Sequence, residues 1–551
     1  MLNNEKAALA RCSQIYNYYM EKRALGSTTK YLDEDFGPKR KSDLDRCRFC
    51  LYKTGEPPKK GYAEPRDVEF VHFDELCKDD KTPQFVDDGV SSNDCKQGNL
   101  GDCWLISSLA VLANRDELIV GGRSGMDYDP DMIVDREIAS LLSKGVYPPI
   151  FHRFREIGLF VVRIFINFTW IYILVDGRIP VDVKSRKPIF GRCRSKHEMW
   201  VSLIEKAFAK AYGCYENLIS GYVDEGVQML TGFQPEKIFL RDEKCGCFPH
   251  KMIKQHYGGE EGFWHYLMDM KEDGCLLGCS IKGNGKEGPL VIDGKNSGLI
   301  LNHAYSLNDI IEHPDKFNKD KTIRLLRLRN PWGKSEWLGA WSDKSPEMEK
   351  YRTCIEEYIR TLPPDEQFVL GEDDGTFLMH YDDWKDQFSA LFLNIDFPED
   401  WTGVRFHSKW TKSNAGGLPT KYEPEQLERY AHNPQFLVRP DKDMKMVFSM
   451  VQTGGRLPVE GQYFNYPFSE TLVYGQVAVF QLEKGKTHLE AFNKDAIRYM
   501  SPIKREKENS GRVSLKKGET YVIVCATEFQ QIKTDFYLSV YFDIPLRDVH
   551  L

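Results

Sequence analysis

The chain has little cysteine for its length, 14 in 551 residues, so a small disulfide-stapled scaffold is excluded. It has no surplus of positive charge either. Its 75 Lys and Arg stand against 82 Asp and Glu, a formal charge of −7, and a nucleic-acid partner is not expected because phosphate contacts need excess Lys and Arg. The opening residues, MLNNEKAALARCSQIYNYYM, hold no apolar run behind a basic start, so no secretory signal is read there. No glycine follows the first Met and the closing DVHL has no Cys, which argues against myristoyl and prenyl anchors. Reduced thiols and a cytoplasmic location are the expectation. No internal repeat is detectable.

Long hydrophobic runs are also scarce. The one stretch resembling a membrane span, residues 157–175 (IGLFVVRIFINFTWIYILV), carries Arg163 and Asn167 and is rich in β-branched and aromatic residues. It reads as two buried strands, with Asp176-Gly177 supplying a turn afterwards. What the chain has in quantity is core material: 41% hydrophobic residues, with 10 Trp, 27 Tyr and 32 Phe, enough for several cores and incompatible with wholesale disorder.

Residues 1–60 are charged and uneven, and KRKSDLDRCRFC and GEPPKKG read as loop or linker. Cys47 and Cys50 form a single CxxC with no second ligand pair nearby, so free thiols are expected rather than zinc, and Cys245, Cys247 and His250 are read the same way. Residues 98–114 (GNLGDCWLISSLAVLAN) predict a glycine turn followed by a buried helix with Cys103 in its first turn, and 199–211 (MWVSLIEKAFAKA) a second, amphipathic helix. From Cys275 the runs CLLGCSI, GLILNHAYSL and TIRLLRLRNPWG read as antiparallel strands. After residue 399, FLVRP, MVFSMVQ, QVAVFQLE, TYVIVCA and FYLSVYF are strand-like runs separated by turn residues, which predicts a β-sandwich of about 150 residues.

A thiol becomes a useful nucleophile where a helix N-terminus and an imidazole assist it. Cys103 stands where a helix begins, and His303 in LNHAYSL and Asn330 in RLRNPWG stand at strand ends. In a Cys–His–Asn triad the imidazole takes the thiol proton and the amide oxygen fixes the ring's tautomer. Gln97, six residues before the thiol, is placed to donate to an oxyanion together with the Cys103 amide. Trp332 is placed to cover the Asn–His bond. Taken singly, each has a blander reading: a buried thiol, a core histidine, a turn Asn-Pro and a packed Trp.

Together QGNLGDCW, NHAYSL and RNPWGKSEWLGAWSD resemble the three active-site blocks of the calpain family of papain-like cysteine proteases, and MWVSLIEKAFAKAYGCYE, SNAGG and NPQF resemble further blocks. The similarity runs from about residue 65 to 551. It implies an α+β papain-like core of two subdomains, followed by an all-β C2-like sandwich. The expected divisions are an N-terminal extension over 1–60, subdomain 1 over 61–228, subdomain 2 over 229–398 and the sandwich over 399–551. By the same resemblance Cys103 is the nucleophile, His303 the base and acid, Asn330 the orienting residue and Gln97 the oxyanion donor, while Gly221 binds extended substrate through its backbone.

The resemblance also implies regulatory calcium, which takes hard oxygen ligands. The first site is expected from Asp94 and Glu198 with backbone carbonyls near Asp87 and Gly89, the second from Glu336, Asp343 and Asp374. Thr376 stands where calpains often have another Glu, and Ser92 where they often have the Arg that pairs with it. The second site is therefore expected to be the weaker. Asn302 replaces a usual Gly before the histidine, which implies a narrower cleft beside the P1 position. The 200 residues between Cys103 and His303 exceed the usual spacing, with the extra length around 121–153 and 284–297. These read as surface insertions without a role, or else one of them borders the cleft.

The function expected is a calcium-dependent cysteine endopeptidase performing limited cleavage of protein substrates. The alternative is a catalytically silent scaffold binding calcium, lipid or protein partners, with the sandwich touching membranes or partners. A transglutaminase would want Asp in place of Asn330. Because the sandwich reaches almost to Leu551, an atypical calpain without the penta-EF-hand domain, and so without a small EF-hand subunit, is expected.

Overall fold

A computed structural model describes residues 5–39, 43–77, 83–87, 89–121, 145–242, 245–318, 321–362, 367–398, 400–452 and 472–550. It divides into two compact units, residues 1–233 with 237–395, and residues 234–236 with 396–551. No helix among the described residues is long and apolar enough to cross a membrane.

The apolar run is a β-hairpin, as its composition predicts. Strands Leu159–Ile166 and Thr169–Asp176 pair antiparallel, joined by Asn167 and Phe168, both at positive φ (46° and 61°). Two left-handed residues make a turn whose twist matches that of the flanking strands. Asp176-Gly177 then bends the chain into a third strand, Arg178–Asp182, which pairs with Val68–His72.

The loop reading of KRKSDLDRCRFC is corrected over residues 44–50, while GEPPKKG is irregular as expected. Glu5–Ala24 is a 20-residue helix and Leu44–Leu51 a second helix, N-capped by Asp43. The first escapes a pattern reading because its buried stripe is built from Ala8 and Cys12, with Ile15, Tyr16 and Tyr19 only partly covered. That stripe packs on Phe151, Phe154, Ile157 and the hairpin residues Leu159 and Tyr172, so tertiary burial stabilises a helix of weak intrinsic amphipathicity.

The second amphipathic segment, helix Trp200–Ala211, is buried at all 12 residues, its two lysines included. Lys206 Nζ meets Asp176 Oδ1 at 2.5 Å and the Arg178 carbonyl at 2.7 Å. Lys210 Nζ meets both Asp33 carboxylate oxygens at 2.8 Å. Asp33 in turn donates its amide to Asp176 Oδ2 at 2.9 Å. The lysines of the face that reads as solvated are thus held by ion pairs to Asp176 and Asp33. Burial alone would raise the Asp176 carboxyl, but Lys206 and Arg178 hold it down at about 2.

The second part of this unit is a six-stranded sheet in the order Thr376–His380, Thr322–Arg329, His303–Pro314, Leu276–Ile281, Ala390–Ile395, Gln234–Phe239. Helix Cys103–Leu112 lies against it, and Ser107 donates to the Ala304 carbonyl at 3.1 Å. Cys245 and Cys247 are joined as a disulfide, a correction to the expectation of free thiols. A tight turn brings them together, in which Asp242 donates its amide to the Cys247 carbonyl at 2.8 Å and Gly246 takes φ 67°.

Residues 396–551 form the β-sandwich that the run spacing predicts. One sheet orders Thr402–Trp410, Thr534–Phe542, Met444–Gln452 and Glu508–Leu515, the other Ile497–Met500, Gly475–Leu482, Thr520–Thr527, Gln435–Pro440 and Val549–His550. Strand Thr520–Thr527 is buried on both faces. Tyr521, Ile523 and Cys525 point into the inter-sheet core with Trp410 and Phe536. Val522, Val524 and Ala526 cover Tyr430 and Phe492 on the outside, which explains an unbroken apolar run in place of alternation.

Replacing Lys206 by Met strands the buried Asp176 carboxylate with one cation fewer, and stability in urea is expected to fall by about 3–5 kcal/mol. A loss under about 1 kcal/mol would show that this network holds the N-terminal segment only weakly.

Candidate active site

Helix Cys103–Leu112 begins at the expected nucleophile. Asp102 caps it through its backbone, accepting the amides of Leu105 at 2.9 Å and Ile106 at 3.2 Å. Gly98 in the preceding turn is packed so closely that a Cβ would sit 2.2 Å from the Phe190 carbonyl oxygen, so the turn demands glycine. The positive end of the helix dipole therefore lies at Cys103. Among the described free cysteines Cys103 alone is not buried.

His303, buried at 1% exposure, opens its strand beside that helix. Its Nε2 is 2.9 Å from Asn330 Oδ1. Asn330 is itself fixed: Nδ2 donates to the Ser335 carbonyl at 3.0 Å, Oδ1 also accepts the Trp332 amide at 3.0 Å, and its own amide donates to the Gly375 carbonyl at 2.8 Å. The Trp332 ring lies over the imidazole with centroids 4.8 Å apart. A Cys103 sulfur, a His303 ring nitrogen and a Glu287 carboxylate oxygen all lie within 4.8 Å of one another. Burial works to lower the His303 pKa, but hydrogen bonds and charge from Cys103 and Glu287 outweigh it and lift the imidazole to about 9.

Gln97 lies in the segment leading into Cys103 and is buried. Its amide donates to the Pro331 carbonyl at 2.9 Å, tying the nucleophile loop to the Asn330 loop. Its side-chain Nε2 donates to Leu100 O at 2.6 Å, leaving one N–H of the amide group for another acceptor. Gly221 follows Ser220, whose amide donates to the Gly101 carbonyl at 2.9 Å, so it lies next to the nucleophile loop.

Three contributors are not evident from sequence. Asp102 is fully buried and hydrogen-bonded to Glu205, whose pKa is raised well above the usual carboxylate range, first by burial and then by Asp102. Two carboxyls so placed hold one proton between them. Glu205 lies on the face of Trp200–Ala211 that reads as polar, which conceals its role.

Glu287 is the second. Its Oε1 is 2.5 Å from His303 Nδ1, and it stands just before the hairpin of strands Gly288–Ile292 and Lys295–Leu301, in one of the two stretches of extra length. This insertion borders the site; the other falls largely on residues 122–144, outside the described residues.

Asn302 is the third, in a role that the expectation of a narrowed cleft does not include. It takes φ 55°, a left-handed conformation that suits Gly or Asn. Its side chain turns to the 283–286 loop, Oδ1 accepting the Gly283 amide at 2.9 Å and Nδ2 donating to the Gly285 carbonyl at 3.1 Å. It thereby pins the loop that delivers Glu287.

The acidic residues form two groups. Glu198 is buried, and its Oε1 accepts the Asp87 amide at 2.9 Å, which places the turn containing Gly89 alongside. Asp94 caps its own 3-10 turn by accepting the Ser91 amide at 2.9 Å, and both carboxylates act electrostatically on buried Cys95. In the second group Glu336 is pushed up to about 7, by burial and then by Asp343, Asp374 and Asp373. Burial likewise raises Asp343, opposed by its hydrogen bond with Glu336. Gly375 links this group to Asn330: its amide donates to Glu336 Oε1 at 2.9 Å while its carbonyl receives the Asn330 amide. At Thr376 the amide donates to the Asp374 carboxylate at 2.8 Å, while the side-chain bonds at the two positions are between neutral groups. Asn308 donates to Ser92 Oγ at 3.1 Å and Thr376 to Asn93 Oδ1 at 3.3 Å.

A fold of this kind, with Cys103 at a helix start beside buried His303 and Asn330, is that of a cysteine peptidase, and comparison with known proteins agrees. The family model described as Calpain family cysteine protease matches residues 31–394, and that described as Calpain large subunit, domain III matches residues 406–541. The chain belongs to the calpain family of cysteine proteases. Calpain-8 of Mus musculus is 30% identical over 444 residues, 76% of this chain and 54% of that protein. Calpain-8 of Homo sapiens is 29% identical over 554 residues, covering 93% and 68%. Calpain-type cysteine protease DEK1 of Zea mays is 28% identical over 360 residues, covering 65% and 14%. The chain thus spans about half the length of the mouse relative.

A carboxyl whose folded pKa lies above its unfolded value stabilises below the ordinary carboxylate range and loses that contribution as pH rises. Glu205→Gln, which keeps the shape without the titrating proton, is expected to flatten the fall in melting temperature as pH rises above the ordinary carboxylate range. An unchanged slope would mean that Glu205 does not hold the proton.

Proposed function

We propose that the chain is a calcium-dependent cysteine endopeptidase making limited cuts in protein substrates. The observation that carries the reading is the 2.9 Å bond from His303 Nε2 to Asn330 Oδ1, with the Cys103 sulfur within 4.8 Å of the ring. Asn330 holds the imidazole so that its other nitrogen faces the sulfur, His303 takes the thiol proton, and the Cys103 thiolate attacks the scissile carbonyl. The Cys103 amide and the remaining Gln97 N–H receive the oxyanion, and the Gly221 backbone takes the extended substrate. Proton return from His303 to the leaving amine leaves a thioester that water hydrolyses. In this reading the nucleophile helix and the His–Asn sheet belong to two papain-like subdomains.

Calcium fits both acidic groups. Buried Glu198 with Asp94 and the carbonyls near Asp87 and Gly89 offers hard oxygen donors, as do Glu336, Asp343 and Asp374. Carboxylates that crowd one another enough to raise Glu336 are relieved by a divalent cation. When bound, calcium supplies positive charge to these donors, and the bonds of Gly375 to Glu336 and to Asn330 connect the second group to the orienting residue. Neutral Thr376 in place of a carboxylate leaves the second site with less charge, hence the weaker of the two. Calorimetric titration of the full chain is expected to resolve two unequal calcium affinities; equal ones contradict this.

One observation favours the alternative, a silent scaffold: Glu287 occupies the ring nitrogen that should take the thiol proton. Casein cleavage decides between the two. Calcium-stimulated cleavage lost in Cys103→Ala supports the protease, and no cleavage under any calcium concentration supports the scaffold. Asn330→Ala is expected to lower kcat by about 10²-fold or more. An imidazole raised to about 9 contributes stability below its ordinary pKa and loses it as pH rises through about 9. The alkaline limb of kcat/KM is therefore expected near pH 9, moving to lower pH in Glu287→Gln.

A further inference from the structure

The Glu287 contact has a consequence beyond holding the imidazole. Sulfur, imidazole nitrogen and carboxylate oxygen converge within 4.8 Å, and of all groups of three His, Cys, Asp or Glu side chains among the described residues this is the one that does so. Three donors of mixed nitrogen, sulfur and oxygen type are what zinc accepts, whereas calcium seeks six to eight oxygens. The partners around the donors suit a metal as well. His303 Nε2 is held by Asn330 Oδ1, which leaves Nδ1 as the ligating atom and fixes the ring plane. Asn302 pins the loop that carries Glu287 through two hydrogen bonds. Cys103 is the one described free thiol that is not buried, so a cation arriving from solvent meets this sulfur ahead of the others.

We propose that Cys103, His303 and Glu287 form a site for zinc. Binding takes the thiolate and the ring nitrogen together, and Glu287, brought by the inserted hairpin, supplies the third donor that the catalytic pair by itself lacks. That the consequence is inhibition rests on the proteolytic reading above; the binding itself does not.

The test titrates the full-length chain with Co2+, whose sulfur-to-metal charge-transfer absorption reports thiolate ligation, and then displaces it with Zn2+. One equivalent with that absorption is expected. It should be lost in Cys103→Ser, and the affinity should fall by about tenfold or more in Glu287→Gln, with a smaller loss in Asn302→Gly, which frees the loop while keeping all three ligands. The proposal is overturned if the folded protein shows no such band, if the band survives in Cys103→Ser, or if Glu287→Gln binds as tightly as the native chain. Casein cleavage measured alongside separates the two ideas. An inactive protein that still shows the Cys103-dependent band contradicts proteolysis and leaves the metal site standing, whereas an active one without the band contradicts the site alone.

Discussion

The bond between His303 Nε2 and Asn330 Oδ1 is the constraint around which the first unit is arranged. An amide oxygen accepts and cannot donate, so it forces the ring to present N–H to Asn330 and leaves the opposite nitrogen for chemistry. Holding that oxygen in place takes three further bonds, to the Ser335 carbonyl, the Trp332 amide and the Gly375 carbonyl. Trp332 then shields the pair from water. Because Gly375 also donates to Glu336, the orientation of the imidazole is connected, through one backbone unit, to a group of carboxylates that repel one another.

A second theme is the amount of charge kept out of water. Lys206, Lys210, Asp33 and Asp176 form one buried network, and Asp102 with Glu205 forms another directly under the nucleophile. The physics differs between them. The first is held by opposite charges, which hold Asp176 ionised against burial. In the second, like charges in a dry site are relieved by keeping one proton. Buried pairs of this sort add little net stability but are costly to break, so they specify how the N-terminal segment docks more than they strengthen it.

The hairpin before His303 shows how an insertion acquires consequence. By length alone it is a tolerated surface loop. Its position is decided by Asn302, whose left-handed backbone would ordinarily select glycine and whose side chain uses its oxygen and nitrogen to hold residues 283–285. The result is a carboxylate at the one ring nitrogen that the rest of the site leaves open. A substitution that in sequence suggests a narrowed cleft is, in space, a tether.

Much was determined by the sequence alone. The hairpin of residues 159–176, the helices beginning at Cys103 and Trp200, the strands after Cys275 and the sandwich strands after residue 399 follow from apolar periodicity and turn chemistry, which are local. Cys103, His303, Asn330 and Gln97 could be singled out because QGNLGDCW, NHAYSL and RNPWG together resemble the family's active-site blocks; each residue type by itself has a blander reading. Tertiary structure alone decided which partner each group meets. The helix Glu5–Ala24 depends on a core that its own Ala and Cys stripe only completes. Lys206 and Glu205 look solvated until residues from elsewhere in the chain cover them. Glu287 meets His303 across 16 residues through a loop held by Asn302. Periodicity encodes which face of an element is apolar; the energy of a charge depends on what lies within a few ångströms of it, and that is set only when the chain is closed upon itself.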